Sequence, residues 1–101
     1  MWTRETIKRL EKELDIPVNI DTLFFYDREG IVPVKREQHG ELSFRNYTEK
    51  DITKLGKALM LSYLGTDTNT IHEILNNDNR QLAQIVVEKI GKIHSILKEN
   101  L

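Results

Sequence analysis

The sequence predicts a mainly α-helical fold that carries one small two-stranded hairpin. Two helical patterns, at 4–14 and 20–28, are separated by the helix-breaking run Asp15-Ile16-Pro17. An extended run at 31–34 and alternating apolar residues at 42–47 then predict two strands. Further helical patterns follow, and the longest one is the last. This order is that of a winged helix-turn-helix, in which the hairpin is the wing, followed by a C-terminal dimerisation helix.

The turn between the first two helices is flanked by residues that begin and end helices. Asn19 is a good N-cap, because its side chain can accept a hydrogen bond from a backbone N–H of the first turn. We therefore expect the second helix to run from Ile20 to Arg28 and to end at Gly30 in a left-handed conformation.

The predicted wing lies between the second and third helices. The run Ile31–Val34 is extended in character, and Pro33 indicates an edge position. Residues Lys35–Glu41 are predicted to form a polar tip, and 42–47 the second strand. A hairpin of this size must pack on helices to be stable.

Two further helices are predicted by their caps and apolar spacing. Thr48 and Asp51 have the spacing of a capping box at the start of the third helix, and Gly65 ends it. A second capping box, Thr70-Ile71-His72-Glu73, is expected to open a short fourth helix that ends at Leu75. The buried stripe of the third helix is predicted to be Ile52, Leu55, Leu59, Met60 and Tyr63.

The final helical pattern, 79–99, carries apolar residues spaced by four and three positions, which is typical of a coiled-coil seam. Such a seam must be buried, and we expect a second copy of the chain to cover it, although packing back on its own domain is the alternative. The seam fits a parallel or an antiparallel pair. The expected organisation is a winged helix-turn-helix domain at 1–77 and a coiled-coil dimerisation helix at 78–101. The seam residues are Leu82, Val86, Ile90, Ile93 and Leu97.

Composition excludes several classes of function. The chain of 101 residues has no cysteine, which rules out disulfides, thiolate metal sites and cysteine nucleophiles and fits a cytoplasmic location. No signal peptide or membrane-spanning run is visible. The three histidines, His39, His72 and His94, are too far apart to predict a metal site. With no catalytic constellation and no phosphate-binding glycine loop, we expect neither an enzyme nor a cofactor.

Several motifs, in order, resemble those of the MerR family of transcription regulators. The run Thr22-Leu23-Phe24-Phe25-Tyr26-Asp27, followed by Gly30-Ile31 and Pro33, is similar to that family's recognition-helix motif Thr-Leu-Arg-Tyr-Tyr-acid, Gly-Leu, Pro. The run 44–51 resembles its Tyr-Arg-x-Tyr-Ser-x-x-Asp motif at the end of the wing, and 71–74 its Leu-x-Glu-Ile element. The resemblance covers the chain up to the terminal helix.

The resemblance implies a sequence-specific DNA-binding regulator that acts as a homodimer on a pseudo-palindromic site of double-stranded DNA. It further implies an antiparallel terminal coiled coil and distortion of promoter DNA, with RNA polymerase or another protein as a further partner and no membrane. The family's usual C-terminal effector domain is not visible, so a short form is expected. Because the formal net charge is only −1, any DNA footprint must be local.

Predicted DNA contacts on the second helix come from its exposed start and its aromatic residues. Asn19 and Thr22 lie at the end that reaches base edges in helix-turn-helix proteins, although Asn19 can serve as a cap alone. Phe25 can contact thymine methyl groups or be buried. Tyr26 can bind phosphate, as the resemblance implies, or close the core.

The predicted contacts on the wing are Lys35, Arg36 and Arg45, which form the most basic local cluster of the chain. Arginines at a wing can bind phosphate or enter a minor groove, and the resemblance marks Arg36 and Arg45. The alternative is a surface charge, or a pair with Glu37 or Glu41.

Some residues depart from the family pattern. Phe24 replaces the usual arginine of the recognition helix, and Asp21 stands where a basic residue is common. We expect Asp21, Asp27 and Glu29 to point away from phosphate or to tune specificity, and Trp2 to cover the core or the base of the wing. These departures favour an alternative function, a MerR-like protein-protein adaptor or anti-regulator that has lost DNA binding.

Overall fold

The computed structural model describes residues 1–76, 88, 91–92, 95–96 and 98–99. Over the first of these ranges it has the predicted winged helix-turn-helix order, mainly helical with one two-stranded antiparallel sheet. The predicted seam residues and the boundary after residue 77 lie outside the described residues. The elements are α1 (Thr3–Leu14), α2 (Ile20–Arg28), β1 (Lys35–His39), β2 (Leu42–Asn46), α3 (Glu49–Tyr63) and α4 (Thr68–Asn76).

The turn between α1 and α2 is built from short side chains that bond to the backbone. Asp15 follows α1 in the left-handed region, at φ 55°, which aspartate tolerates better than most residues. The Asn19 side chain accepts a hydrogen bond from the Asp21 N–H at 2.8 Å, so α2 begins where its cap predicts. Gly30 has a φ of 71° and ends the turn after α2, also as predicted.

The wing differs from its prediction in one respect. The first strand is Lys35–His39, which the sequence analysis assigned to a polar tip, and the turn is confined to Gly40 and Glu41. The run Ile31–Val34 is not a strand, because Ile31 and Val32 are buried under α2 and both donate their N–H groups to the Tyr26 carbonyl. Every residue of β1 is exposed, so no alternation of apolar residues marks it as a strand.

Helix α3 begins with the predicted capping box. The Thr48 hydroxyl accepts from the Asp51 N–H at 3.1 Å, and the Asp51 carboxylate accepts from the Thr48 N–H at 2.9 Å. The predicted burial of Met60 and Tyr63 was wrong, since these residues are 37% and 68% exposed. The buried residues of α3 are Ile52, Leu55, Ala58 and Leu59.

Helix α4 begins at Thr68, two residues before the predicted cap at Thr70. The carboxylate of Asp67, the residue just before the helix, accepts hydrogen bonds from the Thr70 N–H and hydroxyl, both at 2.9 Å. Asp67 therefore caps the first turn of α4 in place of Thr70. These donors hold the pKa of Asp67 below its ordinary value. At the other end, the Asn76 amide donates to the Ile31 carbonyl at 2.7 Å, which ties α4 to the segment after α2.

The core lies where α1, α2 and α3 meet, with Tyr47 and Ile71 closing its ends. Thr6, which is buried inside this core, donates its hydroxyl to the Trp2 carbonyl. The buried residues are Thr6, Leu10, Val18, Leu23, Tyr26, Ile31, Val32, Tyr47, Ile52, Leu55, Ala58, Leu59 and Ile71.

On the surface, the Arg9 guanidinium donates two hydrogen bonds of 2.6 and 2.8 Å to the Glu49 carboxylate, and these join α1 to α3. They raise the pKa of Arg9 and lower that of Glu49.

Candidate nucleic-acid interface

The start of α2 is an exposed polar surface. Asn19 is exposed, and its side-chain oxygen is used by the cap, which leaves its amide N–H groups available. Thr22, one turn further on, is half-buried. Asp21 is exposed in the first turn, where the helix dipole favours a carboxylate. The end of α2 that reaches base edges in helix-turn-helix proteins therefore carries amide donors beside a negative charge.

The two aromatic contacts predicted on α2 face the core. Tyr26 is 3% exposed, and Phe25 is half-buried with its ring 6.0 Å from the Tyr26 ring. Both residues also border a shallow depression of about 400 Å³ together with Thr22, Ser62 and Thr68. Tyr26 therefore packs in the core, and Phe25 packs against that core while remaining partly exposed.

Asp27 joins the last turn of α2 to the wing. Its side chain is 12% exposed. One carboxylate oxygen accepts the Val34 N–H at 3.0 Å, and the other accepts the Arg45 Nε–H at 2.7 Å and lies 3.9 Å from the Arg36 guanidinium. As expected, Asp27 turns away from the outer surface. Its carboxylate faces the wing. The sequence did not predict this contact, because the contact depends on how the hairpin docks on α2.

Arg45 is the most enclosed of the three predicted wing contacts. Its side chain is 19% exposed, and its guanidinium carbon lies 4.0 Å from the centroid of the Phe24 ring, which is a close cation–π arrangement. The alternative pairing with Glu37 or Glu41 was wrong, because the carboxylate that meets Arg45 belongs to Asp27.

Lys35 and Arg36 are exposed on β1, but as neighbours on a strand they point to opposite faces of the wing, so the predicted basic cluster is divided. The strand register places Arg36 directly opposite Arg45, so two guanidinium groups lie side by side on one face of the wing. Like charges opposite each other on two strands repel, and the Asp27 carboxylate next to both offsets that repulsion. The wing therefore presents a cationic face on the side of α2.

The opposite face of the wing is aromatic. The rings of Trp2, His39 and Phe44 meet edge to face, with centroids 5.7 to 6.0 Å apart. Together with Thr3, Arg4, Glu5 and Arg45 they line an open concavity of about 660 Å³. Trp2 thus covers the half of the wing next to its turn, where His39 ends β1, rather than the core or the base of the wing as expected.

Other kinds of site find no support in the part of the chain that the structure describes. No group of histidine, aspartate and glutamate residues there could hold a metal ion. None of the helices searched there is long and apolar enough to cross a membrane.

Comparison with known proteins identifies the arrangement. The family described as MerR HTH family regulatory protein matches residues 5–78, which contain nearly all of α1 and every further element through α4. The chain belongs to the MerR family. A mercuric resistance operon regulatory protein from Serratia marcescens is 34% identical to this MerR-family chain over 62 residues, which are 61% of this chain and 42% of that relative. The match thus spans less than half of the relative's length.

Within this MerR domain five of the seven predicted contacts fall into two groups. Asn19 and Thr22 lie at the start of α2, whereas the three basic residues lie on the wing beside its end. Tyr26 and Phe25 pack between these groups. Sequence reasoning missed Asp27 and Phe24 as the residues that hold the wing arginine in place. The only available signal was the position of Phe24 where the family has an arginine.

Proposed function

We propose that this chain is a sequence-specific DNA-binding transcriptional regulator. The start of α2 enters the major groove, and the cationic face of the wing contacts the neighbouring phosphate backbone. The observation that carries the proposal is the link through Asp27, which bonds Arg45 and lies 3.9 Å from Arg36, beside the recognition helix. Membership of the MerR family supports the same reading.

The regulator acts as a homodimer on a pseudo-palindromic site. Two copies joined through their terminal helices would place two recognition helices on successive major grooves. The seam at Leu82, Val86, Ile90, Ile93 and Leu97 supports this, as do Met60, Tyr63 and Leu64, which form an exposed apolar patch at the end of α3. Distortion of promoter DNA, with RNA polymerase or another protein as partner, is the mechanism that the family resemblance favours.

The proposal is tested by selecting duplexes from a random-sequence library with the purified chain and measuring their affinity at two salt concentrations. An inverted repeat whose affinity falls with salt is the expected result. Absence of both enrichment and salt-sensitive binding would contradict the proposal.

Removal of one wing cation gives the first mutational prediction. Arg36→Ala should weaken binding to the selected duplex and lower the slope of log affinity against log salt by about two, because each protomer of the proposed dimer loses one phosphate contact. Lys12→Ala removes an exposed cation of α1 and serves as the control. Equal affinity and slope for Arg36→Ala and the unchanged chain would exclude the wing contact.

A second candidate function is a protein-protein adaptor that keeps the fold without DNA binding. The exposed carboxylate of Asp21 at the start of α2 and the aromatic concavity around Trp2 and Phe44 favour it. This candidate predicts no enriched sequence in the library selection. It also predicts that replacing Phe44 by serine abolishes binding of a protein partner.

A further inference from the structure

The arginine that the MerR family usually carries on its recognition helix is absent here, since position 24 is phenylalanine. The Phe24 ring is nevertheless in contact with a guanidinium, that of Arg45 from strand β2, at 4.0 Å. A cation supplied by the wing therefore lies over the position of the helix from which the family's arginine would extend.

Phe24 has little structural reason to be aromatic. It is half-buried, and it is not among the partly buried apolar residues that pack on the described core, whereas its neighbour Phe25 is. An exposed phenylalanine ring is costly in water, and an arginine stacked on its face recovers part of that cost. The contact with Arg45 thus accounts for the ring better than core packing does.

The guanidinium of Arg45 is held at two places. The Asp27 carboxylate accepts its Nε–H at 2.7 Å, and the Phe24 ring faces its carbon. Its Nη1 and Nη2 groups donate no hydrogen bond to any of the described residues. An arginine with its Nε side occupied and its plane fixed offers a rigid pair of donors, which suits two adjacent acceptor atoms.

We propose that Phe24 is a positioning residue that holds Arg45 over α2, so that the wing supplies the guanidinium which the recognition helix lacks. The ligand is a pair of acceptors on duplex DNA, either two phosphate oxygens or the O6 and N7 edge of a guanine. This inference rests on the proposed function. It differs from a simple wing contact because it makes the affinity due to Arg45 depend on the ring of Phe24.

A double-mutant cycle tests this dependence on the duplex that the unchanged chain selects. Phe24→Leu should lower affinity about fivefold for each half-site, as expected for loss of one cation–π contact in each protomer. The same substitution in an Arg45→Ala background should change affinity little, because the group that it positions is gone. Phe24→Tyr keeps an aromatic face and should bind like the unchanged chain. Equal losses from Phe24→Leu in both backgrounds would overturn the inference.

The selected sequences distinguish the two acceptors. If Arg45 binds phosphate, Arg45→Ala lowers affinity uniformly across sequences and reduces the salt slope by about two, one for each protomer of the dimer. If it reads guanine, the variant relaxes preference at one base pair of each half-site. Absence of binding by the unchanged chain would contradict the proposed function itself. Binding without coupling would contradict only the role of Phe24.

A measurement without DNA keeps the inference testable if a variant binds poorly for other reasons. The Nε–H proton of Arg45 should show a ring-current shift in the NMR spectrum of the unchanged chain and of Phe24→Tyr. Phe24→Leu should remove that shift while the other amide resonances stay dispersed. An Arg45 resonance that is unchanged by Phe24→Leu would overturn the inference.

Discussion

Asp27 illustrates how one side chain can join two elements that are distant in sequence. It receives the Val34 N–H and the Arg45 Nε–H on different oxygens, so its charge is neutralised where it is largely removed from water. The sequence predicted that this acid would point away from phosphate or tune specificity, and in the structure its carboxylate is directed to the wing. Its partner lies 18 positions away, and only the docking of the wing brings the two together.

Other residues were assigned correctly because their partners are local. Asn19 and Thr48 each bond to a backbone N–H within three positions, so spacing alone predicts both caps. The cap of α4 follows the same rule but was assigned to Thr70. Asp67 is the cap instead, because its carboxylate accepts hydrogen bonds from both the N–H and the hydroxyl of Thr70.

The cap at Asp67 gives a prediction for pH. Its pKa is lowered in the folded chain by the Thr70 N–H and hydroxyl, so its stabilising effect is present above the unfolded pKa. That effect is lost as the pH falls from about 4 through the lower folded value. Urea denaturation between pH 2 and 7 should therefore show a smaller acid-induced loss of stability for Asp67→Asn than for the unchanged chain.

A matched variant separates the contributions to this effect. Thr70→Ala removes the hydroxyl donor and keeps the backbone donor, so its pH dependence should lie between those of the other two proteins. Superimposable profiles for all three would show that the Asp67 cap does not couple stability to pH.

Among the elements, the helices were more predictable than the wing. Each helix buries one stripe, and its apolar period is visible in the sequence. Strand β1 is exposed on both faces, and its polar residues resemble those of a loop. The error in α3 has a related cause, because Tyr63 keeps the helical period in the last turn although no described element covers it there.

The capping box of α3 provides a prediction at this scale. Thr48→Ala removes the acceptor for the Asp51 N–H and should lower the free energy of unfolding by about 1 kcal/mol. Thr48→Ser keeps the hydroxyl and should retain nearly all of that stability. Urea denaturation monitored by circular dichroism measures both. Equal stability for the alanine and serine variants would mean that the box does not stabilise α3.

At the scale of the whole molecule, the formal net charge is only −1, but two guanidinium groups are brought together on the wing. The wing carries guanidinium groups on the face beside α2 and aromatic rings on the other. The position of the basic cluster could be predicted from the family resemblance. The aromatic face could not, because Trp2 reaches Phe44 only after α1 and the wing have packed together.

The proposed homodimer gives a prediction for the assembled protein. Ile90→Glu places a charge in the predicted seam and should convert a dimer to a monomer in sedimentation equilibrium. Its affinity for an inverted repeat should fall to that for a single half-site. Lys92→Glu alters an exposed residue of the same segment and should leave the dimer intact. A dimeric Ile90→Glu variant would place the interface elsewhere.

The link through Asp27 also bears on whether the protein or the DNA would change shape in the proposed complex. A recognition helix and a wing joined by a flexible loop could each adjust to the grooves of a straight duplex. Here a charged bond of 2.7 Å fixes the spacing of the two elements before any ligand arrives. Under the proposed function, we expect a duplex whose groove and flanking strand do not match that spacing to bend, and its stiffness then contributes to the sequence preference.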